Sequence, residues 1–430
     1  MTSLPDQVAC FNFYQDYKYQ LTCRNNKTMG ENISNNSRFV VQWGILGTGN
    51  ISKKFVHDLL VDPRTRDVED LVHKVVAIGS RSELKAKEFI EKVLNCEDTN
   101  SKKRASLDGV KSYGSYLDLV SDSQVNVVYI GTPHTSHYQD IKLCLDFNKS
   151  VLCEKPITIN SDQIKELSRL AKKKKLFLME AIWTRFLPAV VALKKILDSN
   201  EIGHIERVDS DFSSYFDVEK VEESHRLINP DLGGGCLLDL GPYAWDMISL
   251  TLLNQSLKSS SGTQGEEFLK VPRIKASGTF YKRLNSSAPV DQSIISIIEF
   301  DNNLRDRNSQ TSQGILSTSF NQDSNEEIGV TIYGKNGRIN IESPICCPKK
   351  FQVIKFEKAG DDPNESRRLI KKNYSFEENF LGNLYGYGWE ADEVGRCLRE
   401  KKIESEKMKI NESVLMMEVF DEIFRQIERN

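Results

Sequence analysis

From Phe39 onward the chain alternates short apolar runs with stretches whose apolar residues recur every three or four positions. Phe39–Leu46 (FVVQWGIL) predicts a buried strand, and Asn50–Leu60 a helix directly after it. His73–Gly79, Asn126–Gly131 and Ser150–Cys153 predict further strands, and Leu176–Met179 begins another. Between them Ser82–Val93, His137–Phe147 and Ser161–Lys174 carry helical spacing. The first of these opens on Ser82 and an early Glu83, a start signal. Apolar strands alternating with amphipathic helices predict a parallel, doubly wound α/β sheet.

After about Phe186 the period changes. β-rich runs follow one another at Ile205–Tyr215, Ile274–Lys282, Ser293–Phe300, Gly314–Phe320, Gly329–Gly334, Gly337–Ile341 and Phe351–Glu357. Gly334-Lys335-Asn336-Gly337 is a turn signal between two of them. Helices are expected only at Leu237–Leu253 and from Glu390 to the end. This predicts an α+β domain with a large, mostly antiparallel open sheet over residues 187–430, after a first domain over 39–186. The final helices are free to pack back on the first domain. Residues 1–38 are Asn-rich without a sustained period and predict a flexible extension. Glu97–Ser106, Ser256–Gly265 and Asn302–Gln313 are expected as polar insertions.

Composition narrows the classes. Among 430 residues, 58 Lys and Arg face 61 Asp and Glu, a net charge of −3, which gives no electrostatic grip on nucleic acid. The nine cysteines form no CxxC pair, and their scatter points to free thiols in a reducing compartment. Leu237–Leu253, the most apolar stretch, contains Asp239 and Asp246, so a membrane span is not expected. The first residues lack a basic start and an apolar core, unlike a secretory signal. A cytoplasmic protein is expected, with the nucleus also compatible.

Gly47-Thr48-Gly49-Asn50-Ile51-Ser52 reads GxGxxS between the first strand and its helix. The first glycine permits a tight turn and the second lets backbone approach a pyrophosphate. A small third residue allows close helix–strand packing, and the helix N-terminus offers N–H donors to phosphate. A bare turn would also use a GxG, but this placement predicts a Rossmann dinucleotide site. At the end of the second strand Ser80-Arg81-Ser82 carries no acid to hold a ribose 2′-hydroxyl. It offers instead a guanidinium and hydroxyls suited to a 2′-phosphate, which predicts NADP. Thr132-Pro133-His134 closes the third strand and Glu154-Lys155-Pro156 the fourth, on the edge where such sheets hold ligands. His134 and His137, spaced i, i+3, have no further ligand near them in sequence, so no metal is expected.

Gly44–Gly49, Tyr129–His134 with His137, and Glu154-Lys155-Pro156 together resemble the Gfo/Idh/MocA oxidoreductases. Glu180–Phe186 and Gly233–Tyr243 resemble the branch of dimeric dihydrodiol dehydrogenases and NADP-dependent D-xylose 1-dehydrogenases. The resemblance runs from about Val40 to Arg425. It implies a homodimer through the open sheet and a small sugar or cyclic diol substrate. The implied reaction takes hydride from an alcohol carbon to NADP⁺, with D-xylose to D-xylonolactone first and a trans-dihydrodiol second. Asp239 and Tyr243, four apart on one expected helix, would face the same side. Tyr243 is expected as general acid/base, with Lys155 and the positively charged nicotinamide lowering its phenol pKa; the Tyr243–Lys155 pairing is what the resemblance also implies. Asp239 would orient substrate hydroxyls or Lys155. Trp183 and Arg185 are expected in the substrate pocket by resemblance, and Phe212 and Arg226 are further candidates. His137 would shape the nicotinamide pocket, and Cys346-Cys347 are expected to be incidental. A non-catalytic NADP-binding regulator is the alternative of another class. It could lose Lys155, which is present here.

Overall fold

The computed structural model describes residues 38–94, 107, 109–253, 255, 268–283, 286–301, 311–356, 369–377 and 385–428. The extension up to residue 37, Glu97–Ser106, 256–265 and 302–310 lie outside the described residues.

The first sheet is parallel and has six strands: β1 (Phe39–Leu46), β2 (Leu71–Gly79), β3 (Lys111–Tyr113), β4 (Val127–Ile130), β5 (Ser150–Glu154) and β6 (Leu178–Ala181). Their order is β3-β2-β1-β4-β5-β6, so the strand order reverses beside β1 and opens a crevice at the carboxyl ends of β1 and β4. Helices α1 (Asn50–Leu59), α2 (Glu83–Leu94), α3 (Tyr116–Ser121), α4 (His137–Asp146) and α5 (Ser161–Lys174) connect these strands. Strands β4 and β5 are buried throughout, which is why Val127–Ile130 and Val151–Cys153 read without polar alternation. Helix α5 begins where the Asn160 side chain accepts from Gln163 N–H at 3.1 Å and ends at Lys175 with φ +55°. The expectations missed β3 and α3, which are too short to show a period.

Helix α6 (Pro188–Asp198) was not anticipated either, although Pro188 in its first turn is a start signal. After it come β7 (Ile205–Asp211) and two short helices, α7 (Cys236–Asp239) and α8 (Gly241–Ile248), in place of one continuous helix. Seven more strands follow: β8 (Arg273–Tyr281), β9 (Val290–Asp301), β10 (Thr311–Ser319), β11 (Val330–Gly334), β12 (Gly337–Ile341), β13 (Lys350–Phe356) and β14 (Leu369–Glu377). The second sheet runs β14-β13-β12-β11-β7-β10-β9-β8, and only β7 and β10 pair in parallel. Strand β10 starts at Thr311, inside the stretch expected as a polar loop, because Thr311–Gln313 pair with Asp301–Glu299. On β9, Ile294 and Ile298 face the core while Ile295 and Ile297 face outward and are exposed.

The last helices, α9 (Gly388–Arg399) and α10 (Ile410–Ile427), return to the first sheet. Asp392 of α9 accepts from Arg66 Nε at 2.6 Å and Nη2 at 2.7 Å. Its Oδ1 lies 2.9 Å from His73 Nε2 on β2, and His73 Nδ1 accepts from Trp43 Nε1 of β1 at 3.1 Å. Lys165 of α5 pairs with Glu418 of α10 at 2.7 Å. Among the described residues no helix is long and apolar enough to cross a membrane.

Candidate active site

The turn after β1 is laced to its neighbours. Gly47 N–H donates to Gly79 O at 3.1 Å and Gly131 N–H to Leu46 O at 2.9 Å. Gly47 has φ +90°, and a Cβ there would lie 2.8 Å from the Gly131 carbonyl, so both its conformation and its space require glycine. Gly49 caps α1 with extended backbone and no side-chain hydrogen bond, which leaves the N–H groups of the first turn open to an anion. Thr48 lies between the two glycines, Asn50 and Ile51 open α1, and Ser52 is fully buried where a Cβ on Gly131 would collide with its hydroxyl. A small residue at Ser52 therefore does what the GxGxxS spacing requires.

At the end of β2, Ser80 is buried and its Oγ lies 3.3 Å from Thr48 Oγ1. Ser82 precedes α2, its carbonyl accepting from Ala86 N–H at 3.2 Å. Arg81 is exposed and has no ion-pair partner among the described residues, so its guanidinium is available to a phosphate. These features fit a dinucleotide carrying a 2′-phosphate: open N–H groups, a glycine turn, two hydroxyls and a free cation.

Thr132, Pro133 and His134 follow β4. Thr132 Oγ1 donates to Asp140 at 2.6 Å, and burial raises the Asp140 carboxyl to about 6. His134 Nδ1 lies 3.2 Å from Gly233 O, and burial together with the charge of Lys155 pushes the ring down to about 3. His137 is fully buried between two carbonyls, Pro156 O at 2.8 Å and Thr132 O at 2.9 Å. It thus staples the loop after β4 to the loop after β5, and neither nitrogen turns towards an ion shared with His134. Glu154 accepts from the Tyr129 hydroxyl at 2.6 Å, and burial raises its carboxyl.

Lys155 reaches across to the second domain. Its Nζ donates to Asp239 O at 2.5 Å and lies 3.2 Å from Asp239 Oδ1. Arg226 Nη1 meets the same Oδ1 at 2.8 Å from a largely exposed side chain. Burial alone would raise the Asp239 carboxyl, but Lys155 and Arg226 outweigh it and hold it well below the usual range. Asp239 ends α7 and Tyr243 lies in α8, the chain breaking between them at Leu240. The shared helix face is therefore corrected: the two side chains meet through Lys155 instead. Lys155 Nζ sits 5.0 Å from the centre of the Tyr243 ring, over its face.

Tyr243 is buried, and its hydroxyl accepts from Trp183 Nε1 at 3.1 Å. Phe212 meets its ring edge-on at 5.5 Å. Burial, reinforced by Cys346, Glu154 and Tyr387, pushes the phenol well above its ordinary value, and the Trp183 hydrogen bond works against that rise. The net shift is therefore upward and not the expected lowering: burial dominates, while the Lys155 ammonium faces the ring and pairs with Asp239. Arg185 is also corrected. It is 6% exposed and consumed by Asp246 at 2.5 Å, Glu412 at 2.6 Å, Ser249 at 2.9 Å and the Lys407 carbonyl at 3.0 Å, so it braces α8 against α10. Trp183 stays in the site, stacked on Tyr387 at 4.5 Å and 23°. Tyr387 and Cys346 were missed. The alternation Tyr385-Gly386-Tyr387-Gly388 was a usable signal for the first, whereas nothing in sequence ties Cys346 to Tyr243.

A doubly wound parallel sheet with an open glycine turn, whose Lys155 meets a carboxylate and a phenol on the short helices α7 and α8, defines a dinucleotide-dependent oxidoreductase. Residues 41–182 match the oxidoreductase family with NAD-binding Rossmann fold, and residues 190–340 match the GFO/IDH/MocA C-terminal domain. The chain belongs to the Gfo/Idh/MocA family. It is 34% identical to the D-xylose 1-dehydrogenase (NADP(+)) of Hypocrea jecorina over 92% of this chain and 94% of that one. It is 31% identical to the trans-1,2-dihydrobenzene-1,2-diol dehydrogenase of Sus scrofa, over 90% and 97%. Among solved structures, levoglucosan dehydrogenase with NADH and levoglucosan shares the fold at a TM-score of 0.69 and 18% identity, over 91% and 98%.

Proposed function

We propose that this chain is an NADP-dependent dehydrogenase that oxidises an alcohol carbon of a small sugar, with D-xylose to D-xylono-1,5-lactone as the leading reaction. The observation that carries the reading is the convergence of Asp239, Arg226 and Tyr243 on Lys155, just past the carboxyl end of β5. The likeness to the fungal D-xylose enzyme supports the substrate. Residues 39–186 then serve as the cofactor domain and 187–430 as the substrate domain. Gly47, Gly49 and the first turn of α1 would hold the pyrophosphate, with Ser80, Arg81 and Ser82 on the 2′-phosphate. Thr132, Pro133, His134, His137 and Glu154 would line the nicotinamide end. When bound, oxidised NADP supplies the hydride acceptor.

In this reading Tyr243 Oη exchanges the proton of the substrate hydroxyl. The hydrogen bond from Trp183 favours its phenolate. Lys155, fixed by Asp239, donates to a substrate oxygen, and Arg226 keeps Asp239 charged at the mouth. Trp183 and Phe212 present aromatic surface to the substrate. That same wall, extended by Tyr387, favours a trans-dihydrodiol as the second reading, because a flat ring can stack on it. A nicotinamide absorbance assay across pentoses, hexoses and dihydrodiols decides between them. Silence across the panel with tight NADP binding would leave the regulator.

The exposed Ile295 and Ile297, with Ile315 paired to Ile297, form an apolar stripe on the outer face of the second sheet. They support a homodimer through that face, which sedimentation finding only monomers would remove. The six free thiols among the described cysteines support a cytoplasmic location, checked by imaging a tagged chain.

A further inference from the structure

Asp58 takes no part in the proposed chemistry, yet its carboxylate is heavily engaged. It lies on α1, one residue before the end, and is 1% exposed. It receives three consecutive main-chain N–H groups: Tyr385 at 3.1 Å, Gly386 at 2.7 Å and Tyr387 at 2.9 Å. This short segment leads into α9 and forms the far wall of the pocket. Gly386 has φ +118°, and a Cβ there would lie 2.8 Å from the Trp183 ring, so only glycine lets the chain come this close. Tyr387 then lies flat on Trp183, and Trp183 holds the Tyr243 hydroxyl. On the outer side Lys54, also on α1, places its ammonium 5.2 Å from the centre of the Tyr385 ring. One helix therefore presents its N-terminus to the cofactor site and its other end to the wall of the substrate site.

We infer that Asp58 is a positioning residue for the substrate pocket, holding Tyr385–Tyr387 so that Tyr387 supports Trp183 and Trp183 supports Tyr243. The inference rests on the pocket assigned above. A carboxylate that only capped α9 would affect stability and leave substrate affinity alone. A carboxylate that sets the stack must affect how substrate is held, while the glycine turn at the other end of α1 keeps its grip on NADP.

The test is Asp58→Asn in the full chain, read by amide hydrogen exchange, NADP titration and sugar kinetics. Losing a charge-assisted hydrogen bond corresponds to about ten- to a hundredfold. Exchange at Tyr385–Tyr387 should therefore quicken by about tenfold or more, and KM for the sugar should rise by a similar factor. kcat should fall less than KM rises, and NADP affinity should stay within about twofold. Faster exchange with unchanged KM and kcat overturns the inference, as does unchanged exchange. If Asp58→Asn does not fold, Gly386→Ala decides, since it presses a methyl group onto Trp183 and leaves Asp58 intact. A raised KM then supports the inference and an unchanged one overturns it. A wild type that oxidises no alcohol fails the functional reading instead. Hydrogen exchange would still report whether Asp58 holds the segment, and unchanged exchange would overturn the inference by itself.

Discussion

Lys155 sets its ammonium over the face of the Tyr243 ring and donates to Asp239, so among the described residues the phenol takes its hydrogen bond at Oη from Trp183. In the proposed reaction Tyr243→Phe keeps the ring and should cost about 10²–10⁴-fold in rate with NADP binding preserved. The oxidation rate should rise with pH as the phenol ionises. A donor to Oη stabilises the phenolate, so Trp183→Phe should move that limb to higher pH, and a limb that stays put would remove Trp183 from the account. At the cofactor end, Arg81→Ala with Ser80→Asp should weaken NADP by about ten- to a hundredfold and improve NAD, measured by titrating both. The turn residues were legible because a phosphate site is local in sequence. Arg185 was misread for the opposite reason. A guanidinium is defined by what it meets, and Glu412 lies 227 positions away.

At the scale of elements, the pair α7–α8 decides where Asp239 and Tyr243 point. Asp291 on β9 anchors its start, accepting from Leu237 N–H at 2.6 Å and from Cys236 Sγ at 3.1 Å. Gly235, at φ +113°, leaves the room that this carboxylate fills. Asp291→Ala would strand a buried N–H, so it should lower the unfolding free energy by about 1–3 kcal/mol in a denaturant titration. It should also reduce turnover, because the helix carrying Asp239 loses its anchor. The α/β alternation was readable, since two-sided burial forces unbroken apolar strands. The break at Leu240 was also written in the chain, because Gly241-Pro242 suits the first turn of a new helix better than the middle of an old one.

Over the whole molecule, α9 closes the chain onto its own first sheet through a buried network of Arg66, Asp392, His73 and Trp43. His73 Nδ1 accepts from the indole, so protonating it would set two N–H groups against each other, and burial lowers its pKa. Below about pH 6.5 the unfolded chain takes up a proton that the native state refuses. Stability should then fall with pH by about 1.4 kcal/mol per unit from this residue. Asp392 behaves differently, being held down at about 2: burial raises it, and Arg66 and His73 more than reverse that. Its contribution is complete above the unfolded carboxylate range and is lost as pH drops from about 4 towards 2. Thermal unfolding from pH 7 to pH 5 should therefore show a falling Tm in the wild type and a shallower fall in His73→Gln. No sequence pattern announces this network, because its members are 326 and 319 positions apart.

In the proposed reaction hydride passes from a substrate alcohol carbon to NADP at the site built by Lys155, Asp239 and Tyr243. Single-turnover reaction of the full chain with D-xylose deuterated at C1 and with NADP⁺ tests it directly. The expected result is deuterium on the reduced nicotinamide, at a rate cut severely by Tyr243→Phe and by Lys155→Met while both variants still bind NADP. Tight NADP binding with no deuterium transferred from the sugar, or transfer undiminished in both variants, would contradict it.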